Sequence, residues 1–140
     1  MSAPFPDITR LIPQRAPILM VDALLEAQDD TATTCLTVRP DNYFLDEDGR
    51  LDETGLIEHI AQSASALAGY KALRAGAAQP PVGYIGEVKK FRLHRLPRMG
   101  EVLRTTLTLG AKAGGVTLLT AETQADGRTV ASTHLKIFIA

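Results

Sequence analysis

Between positions 58 and 62 the chain carries Glu58, His59 and Gln62, three side chains able to move or steer protons. Glu58 lies in the opening turns of a segment with helical spacing, where the helix dipole stabilises a carboxylate and burial opposes its ionisation. Gln62 is one turn further on the same face, placed to orient that carboxylate or a bound carbonyl. His59 is titratable but about 100° round the helix from Glu58, so the two need not face one cavity. Far upstream, Gln14 can donate a hydrogen bond but cannot take a proton at neutral pH. Its neighbour Arg15 suits a substrate contact or a structural ion pair equally well. Gly55 opens the helical segment. Free N–H groups at a helix start can bind a carbonyl oxygen, and a residue without a side chain lets one approach; a plain turn explains the glycine as well.

A second group is basic. Lys89, Lys90, Arg92, Arg95 and Arg98 supply five of the 15 Lys and Arg residues within ten positions. Such a run can receive a phosphate or an acidic protein, or it is a strand edge kept from pairing by its charges. His94 belongs to that basic edge, and His134 reads as structural or exposed. Cys35 alternates with threonines and reads as a small buried group.

The totals remove several classes. The 140 residues carry a formal net charge of −1, with 5% aromatics and no Trp, which argues against a nucleic-acid surface. One cysteine cannot form an internal disulfide, and no Cys/His cluster has zinc spacing. No apolar run is long enough for a membrane span, and the first ten residues have no signal-peptide character. The expectation is a soluble cytoplasmic protein, one domain over residues 1–140.

The elements that must position these residues follow from pattern. Asp7 to Ile12 allows one helical turn ended by Pro13. Ile18 to Ala27 and Thr31 to Val38 read as a hairpin around Gln28-Asp29-Asp30. Thr54 to Arg74 is a helix capped by Asp52 or Thr54 and stopped by Gly76, with Leu56, Ile57, Ile60, Ala61, Ala64, Leu67 and Ala68 as its apolar stripe. Its small middle, Ala61 to Gly69, invites close approach by another backbone. Four strand-like runs follow: Val82 to Leu93, Glu101 to Ala111, Val116 to Ala125 and Thr129 to Ile139, with Gly114-Gly115 and Asp126-Gly127 as turns. One helix is available to cover this sheet, so the fold class is α+β, an antiparallel sheet curled round a buried helix.

Three stretches in this order resemble the β-hydroxyacyl-acyl-carrier-protein dehydratase family of hot-dog proteins. Leu11 to Asp22 (LIPQRAPILMVD) is similar to its Pro-His-Arg-x-Pro-apolar-Val-Asp segment. Gly55 to Gln62 (GLIEHIAQ) is similar to its Gly-apolar-Glu-x-apolar-Ala-Gln helix start. Gly83 to Arg92, with Pro97 and Gly100-Glu101, matches the strand and turn that follow. The likeness covers nearly the whole chain. It departs where the family's catalytic His stands, here Gln14, and in the family's His-and-Pro-rich loop, here Phe44 to Glu53. The helix carboxylate is retained as Glu58, and the pattern as a whole more closely resembles the divergent dehydratase-like proteins of aryl-polyene or flexirubin-type pigment clusters than the housekeeping enzyme.

The resemblance implies a hot-dog fold and an acyl-thioester enzyme, with a His and a Glu from two subunits acting as base and acid on a 3-hydroxyacyl thioester. It implies substrate delivered on acyl carrier protein or as a CoA thioester, with phosphopantetheine arriving on the carrier and no resident cofactor or metal. A homodimer or higher homo-oligomer is the expected assembly. On that basis Glu58, Gln14 and His59 are the catalytic candidates, Gln62, Gly55 and Arg15 the substrate-binding ones, and Lys89, Lys90, Arg92 and Arg95 the carrier-docking ones. Three activities remain open. A dehydratase can recruit a replacement base such as His59; Glu58 can activate water in a thioesterase; or the chain only binds a carrier or pairs with a catalytic subunit.

Overall fold

The computed structural model describes residues 5–79, 81 and 83–139. Asp7 caps a short 3-10 turn, Ile8–Arg10, by accepting the Thr9 N–H at 2.9 Å. Strands β1 (Ala23–Ala27) and β2 (Thr31–Thr37) form an antiparallel hairpin. A looping segment then leads to helix α1 (Glu53–Arg74). Strands β3 (Gly83–Leu93), β4 (Val102–Ala113), β5 (Val116–Ala125) and β6 (Arg128–Ile139) complete the chain. All six strands join one antiparallel sheet in the order β1-β2-β4-β5-β6-β3. Long helix inside, curved sheet outside: this is the hot-dog architecture that the resemblance implies.

Alternation in the sequence sets which face of each strand turns inward. On β4, Leu103, Thr105, Leu107 and Leu109 are buried while their neighbours are exposed; on β5, Thr117, Leu119, Ala121, Thr123 and Ala125 do the same. These rows wrap α1, whose positions 55, 56, 59, 60, 62–67 and 69 are buried. A helix buried round most of its circumference has little amphipathic contrast, and its core comes from tight packing. Gly69 is the clearest case. A Cβ there would collide with the carbonyl of Leu11, so the segment after the 3-10 turn lies directly on the helix backbone. The close approach that the run of small residues implies is realised at this point. Among the described residues no helix is long and apolar enough to cross a membrane.

Most element ends fall within a residue or two of the sequence expectation, and two features depart from it further. The first strand begins at Ala23, not Ile18. The reason is chemical: the N–H and C=O of Met20 are bonded to side chains of α1, so the 18–20 segment lies across the helix and makes no ladder there. Cys35 is half-buried, not buried, and its thiol is pushed up first of all by desolvation.

The two ends of the sheet are unequal. Edge strand β1 is short, whereas β3 is long and interrupted by bulges at Gly86 and Lys89. Ile85 and Val88 pair with Ile137 and Leu135, which are 3% and 0% exposed. Yet Ile85 and Val88 themselves are 37% and 39% exposed. The inward face of β3 is thus open at Ile85 and Val88 and closed further along, where Phe91 and Leu93 pack against the core.

Candidate functional site

The helix start is built by Asp52, whose side chain accepts the Gly55 N–H at 2.8 Å and whose carbonyl accepts the Leu56 N–H at 3.1 Å. This corrects the idea of a free Gly55 donor awaiting a carbonyl oxygen: that N–H is already used. Space is also taken. A Cβ at Gly55 would lie 2.6 Å from Phe44 Cβ and 2.8 Å from Leu51 Cδ1, so the glycine lets the preceding loop pack on the helix.

One turn further in, Glu58 is half-buried and Gln62 is buried. Gln62 Oε1 accepts the Met20 N–H at 2.7 Å, which fixes the amide orientation and aims the NH2 group at two acceptors. These are the Ile18 carbonyl at 3.0 Å and Glu58 Oε1 at 3.2 Å. The expected pairing of Gln62 with Glu58 is therefore present, and Gln62 also pins the 18–20 segment. Glu58 lies beside an incompletely covered stripe of α1, where Ile57, Ala61, Ala68 and Ala72 are half-buried. By helical geometry those four fall within about 60° of arc.

His59 goes elsewhere. It is completely buried beneath the sheet, with Nδ1 2.6 Å from the Met20 carbonyl and Nε2 2.8 Å from Thr105 Oγ1. Desolvation lowers its pKa to about 4, against smaller raising effects of the Met20 carbonyl and of Asp22. Both nitrogens are engaged, so the structure does not bring a free His59 imidazole to Glu58. The other two histidines are exposed: His94 follows β3, and His134 sits on the outer sheet face opposite Lys90.

Arg15 turns on its own loop, donating to the carbonyls of Ile12 and Gln14 at 2.8 Å each and of Thr9 at 2.8 Å. That accounts for its guanidinium without a substrate and without an ion pair. Gln14 is half-buried, and its Oε1 is enclosed without a partner among the described residues. Lys89, Lys90 and Arg92 are exposed on β3. Arg95 differs from them: it forms a two-pronged pair with Glu101, both bonds 2.7 Å, and Glu101 also accepts the Arg98 N–H at 2.8 Å. The Arg95 fork holds the Glu101 carboxyl down to about 2. Arg95 thus closes the turn before β4, and its charge is largely neutralised.

Sequence reasoning missed two participants, Thr105 and Met20. Neither has a sequence signal: a threonine on an alternating strand and a methionine in an apolar run gain their roles only when the fold brings them to His59.

A family model of ApeP-like proteins, described as ApeP dehydratase, matches residues 6–140. The chain belongs to the ApeP-like dehydratase family. It is a divergent, dehydratase-like hot-dog protein related to those of aryl-polyene clusters. Among solved structures, the dehydratase heterocomplex ApeI:P from Xenorhabdus doucetiae matches with a TM-score of 0.89 at 20% identity, over 97% of this chain and 92% of that one. The Escherichia coli PaaI protein of the phenylacetic acid degradation operon matches at 0.65 and 13% identity, over 82% and 80%. A hypothetical thioesterase with coenzyme A from Streptococcus pneumoniae matches at 0.65 and 13%, over 84% of each chain. At these identities the likeness shows a shared fold. No curated protein matches the chain.

Proposed function

We propose that this ApeP-like chain is one half of a 3-hydroxyacyl-thioester dehydratase, supplying Glu58 to a cavity completed by a second hot-dog subunit that supplies an imidazole. The observation that carries this reading is the division of roles on α1: Glu58 stands at the open helix face with Gln62 steering it, while His59, next in sequence, is spent inside the core. All three histidines of the chain are accounted for without one beside Glu58.

Dehydration removes a proton from C2 and the hydroxyl from C3, forms the C2=C3 double bond and releases water. A base takes the C2 proton and an acid protonates the departing hydroxyl. Glu58, with one carboxyl oxygen bonded to Gln62, suits the acid role; a partner's imidazole suits the base. The uncovered inward face of β3 supports a partner at this edge, since Ile85 and Val88 lose water only if another chain lies against them. The ApeI:P match is to a heterocomplex by its own description, which favours a different hot-dog subunit over a second copy. Lys89, Lys90 and Arg92 fit an acidic acyl carrier protein delivering the substrate on its phosphopantetheine arm. A resident cofactor is not needed for this chemistry. The chain's place in fatty-acid or polyene synthesis and a cytoplasmic setting belong to the same reading.

The test is turnover of 3-hydroxyacyl-carrier protein by this chain mixed with a His-bearing hot-dog partner, following enoyl product and free thiol separately. Enoyl product that falls at least about 100-fold in Glu58→Gln supports the reading. Undiminished enoyl product in Glu58→Gln, or free thiol in its place, overturns it.

A further inference from the structure

Both ring nitrogens of His59 have partners, and the nature of those partners fixes every hydrogen in the chain of bonds. The Met20 carbonyl has no hydrogen to give, so Nδ1 at 2.6 Å must donate. In the neutral ring, which complete burial favours, Nε2 is then an acceptor, and the Thr105 hydroxyl at 2.8 Å donates to it. With its only hydrogen committed, Thr105 Oγ1 accepts from Thr123 Oγ1 at 2.6 Å. The bonds run in one direction: Thr123 to Thr105 to His59 to the Met20 carbonyl.

Met20 joins this chain to Glu58. Its carbonyl is held by His59 and its N–H by Gln62, so two α1 side chains three positions apart grip one residue from both sides. That grip orients the Gln62 amide, and the two hydrogens of its NH2 go to Ile18 and Glu58. Strands β4 and β5, through Thr105 and Thr123, are thereby tied to the Glu58 carboxylate by way of His59, Met20 and Gln62.

We propose that His59 is a positioning residue, holding the Glu58 carboxylate in a single orientation through Met20 and Gln62. This rests on the reading of Glu58 as the proton-transferring group. Without the Nδ1 bond the Met20 peptide can rotate, Gln62 loses the acceptor geometry that fixes its amide, and the carboxylate loses its anchor.

Two substitutions separate the halves of the imidazole. Asparagine places an amide nitrogen near the position of Nδ1 and leaves Thr105 without its acceptor. Glutamine reaches the position of Nε2 and abandons Met20. In the complex with the partner subunit, His59→Asn is expected to keep kcat within about threefold of the parent, and His59→Gln to lose between about tenfold and a hundredfold with KM little changed. Equal losses in the two variants overturn the proposal. Amide exchange at Met20 reads the same point without turnover: it accelerates at least about tenfold in His59→Gln, relative to global unfolding, and is unchanged in His59→Asn. If Glu58→Gln leaves turnover intact while the Met20 exchange pattern holds, the function reading has failed and the held geometry has not. On the unsubstituted chain, nitrogen NMR at neutral pH is expected to report the Nδ1–H tautomer; an Nε2–H tautomer or an imidazolium overturns the proposal whether or not any variant folds.

Discussion

The two flanks of α1 are built on opposite plans. Toward β2, β4 and β5 the helix is sealed twice, by leucines such as Leu107 and Leu119 and by buried hydrogen bonds from His59 and Ser63 to Thr105 and Thr34. Toward the first part of β3 the cover is incomplete: Phe91 and Leu93 pack inward, but Ile85 and Val88 on the same strand meet solvent. Glu58 is half-buried, with one carboxyl oxygen bonded to the buried Gln62. On the proposed reading that carboxylate has to be held still and yet reach a substrate, and half-burial beside a fixed amide suits both. The buried polar bonds on the closed flank are satisfied throughout the chain from Thr123 to Met20, the condition under which a polar core specifies one arrangement and not several.

The comparison can be broken most forcefully on the closed flank. Leu107→Ala removes a fully buried side chain facing the helix and is expected to cost about 2–5 kcal/mol in urea unfolding. A loss well under 1 kcal/mol means that this flank is not tightly packed. Next is acid. Unfolded, His59 titrates near its ordinary 6.5; folded, it titrates near 4, so between those values the unfolded chain binds a proton that the folded one refuses. Stability therefore falls as pH drops through 6.5 and stops falling near 4, by on the order of 3 kcal/mol in total. In His59→Asn that slope is absent, which chemical denaturation at a series of pH values can check.

Glu101 has the opposite sign of shift and a separate window. Its carboxyl is held at about 2 against an ordinary 4.5, so the stability it contributes is present above 4.5 and is lost as pH falls toward 2. Since Arg95 is partly exposed, Glu101→Ala is expected to cost only about 1 kcal/mol. The smallest effect belongs to the open flank. Val88→Ser is expected to change the stability of the isolated chain by no more than about 0.5 kcal/mol, while weakening association with a partner subunit, measured by light scattering or calorimetric titration. A large loss of stability in the isolated chain means that β3 is already covered.

The sequence reveals the closed flank's elements better than its bonds. The helix from Asp52 to Gly76, the glycine turns before β5 and β6, and the alternation of β4 and β5 are written in local composition, because caps, turns and strand faces depend on neighbours in the chain. Glu58 with Gln62 is legible for the same reason, being one helical turn apart. The 18–20 segment is not, since an apolar run reads as a strand until Gln62 and His59, some 40 positions away, take its backbone groups. Arg15, Gly55 and Arg95 each invite a functional reading that local packing removes: carbonyls of its own loop surround Arg15, Phe44 fills the space at Gly55, and Glu101 occupies the fork of Arg95. Residue type announces what a side chain can do; only its neighbours decide whether it is free to do it.

The contact between Gly69 and Leu11 restricts what position 69 can hold. No side chain fits between that carbonyl and the helix, so only glycine lets the segment after the 3-10 turn stay seated on α1. Gly69→Ala forces them apart, and the strain travels up the same loop toward Met20. A glycine more than two turns beyond Glu58 is therefore expected to bear on how the Met20 loop is seated, which amide exchange at Met20 in Gly69→Ala can read.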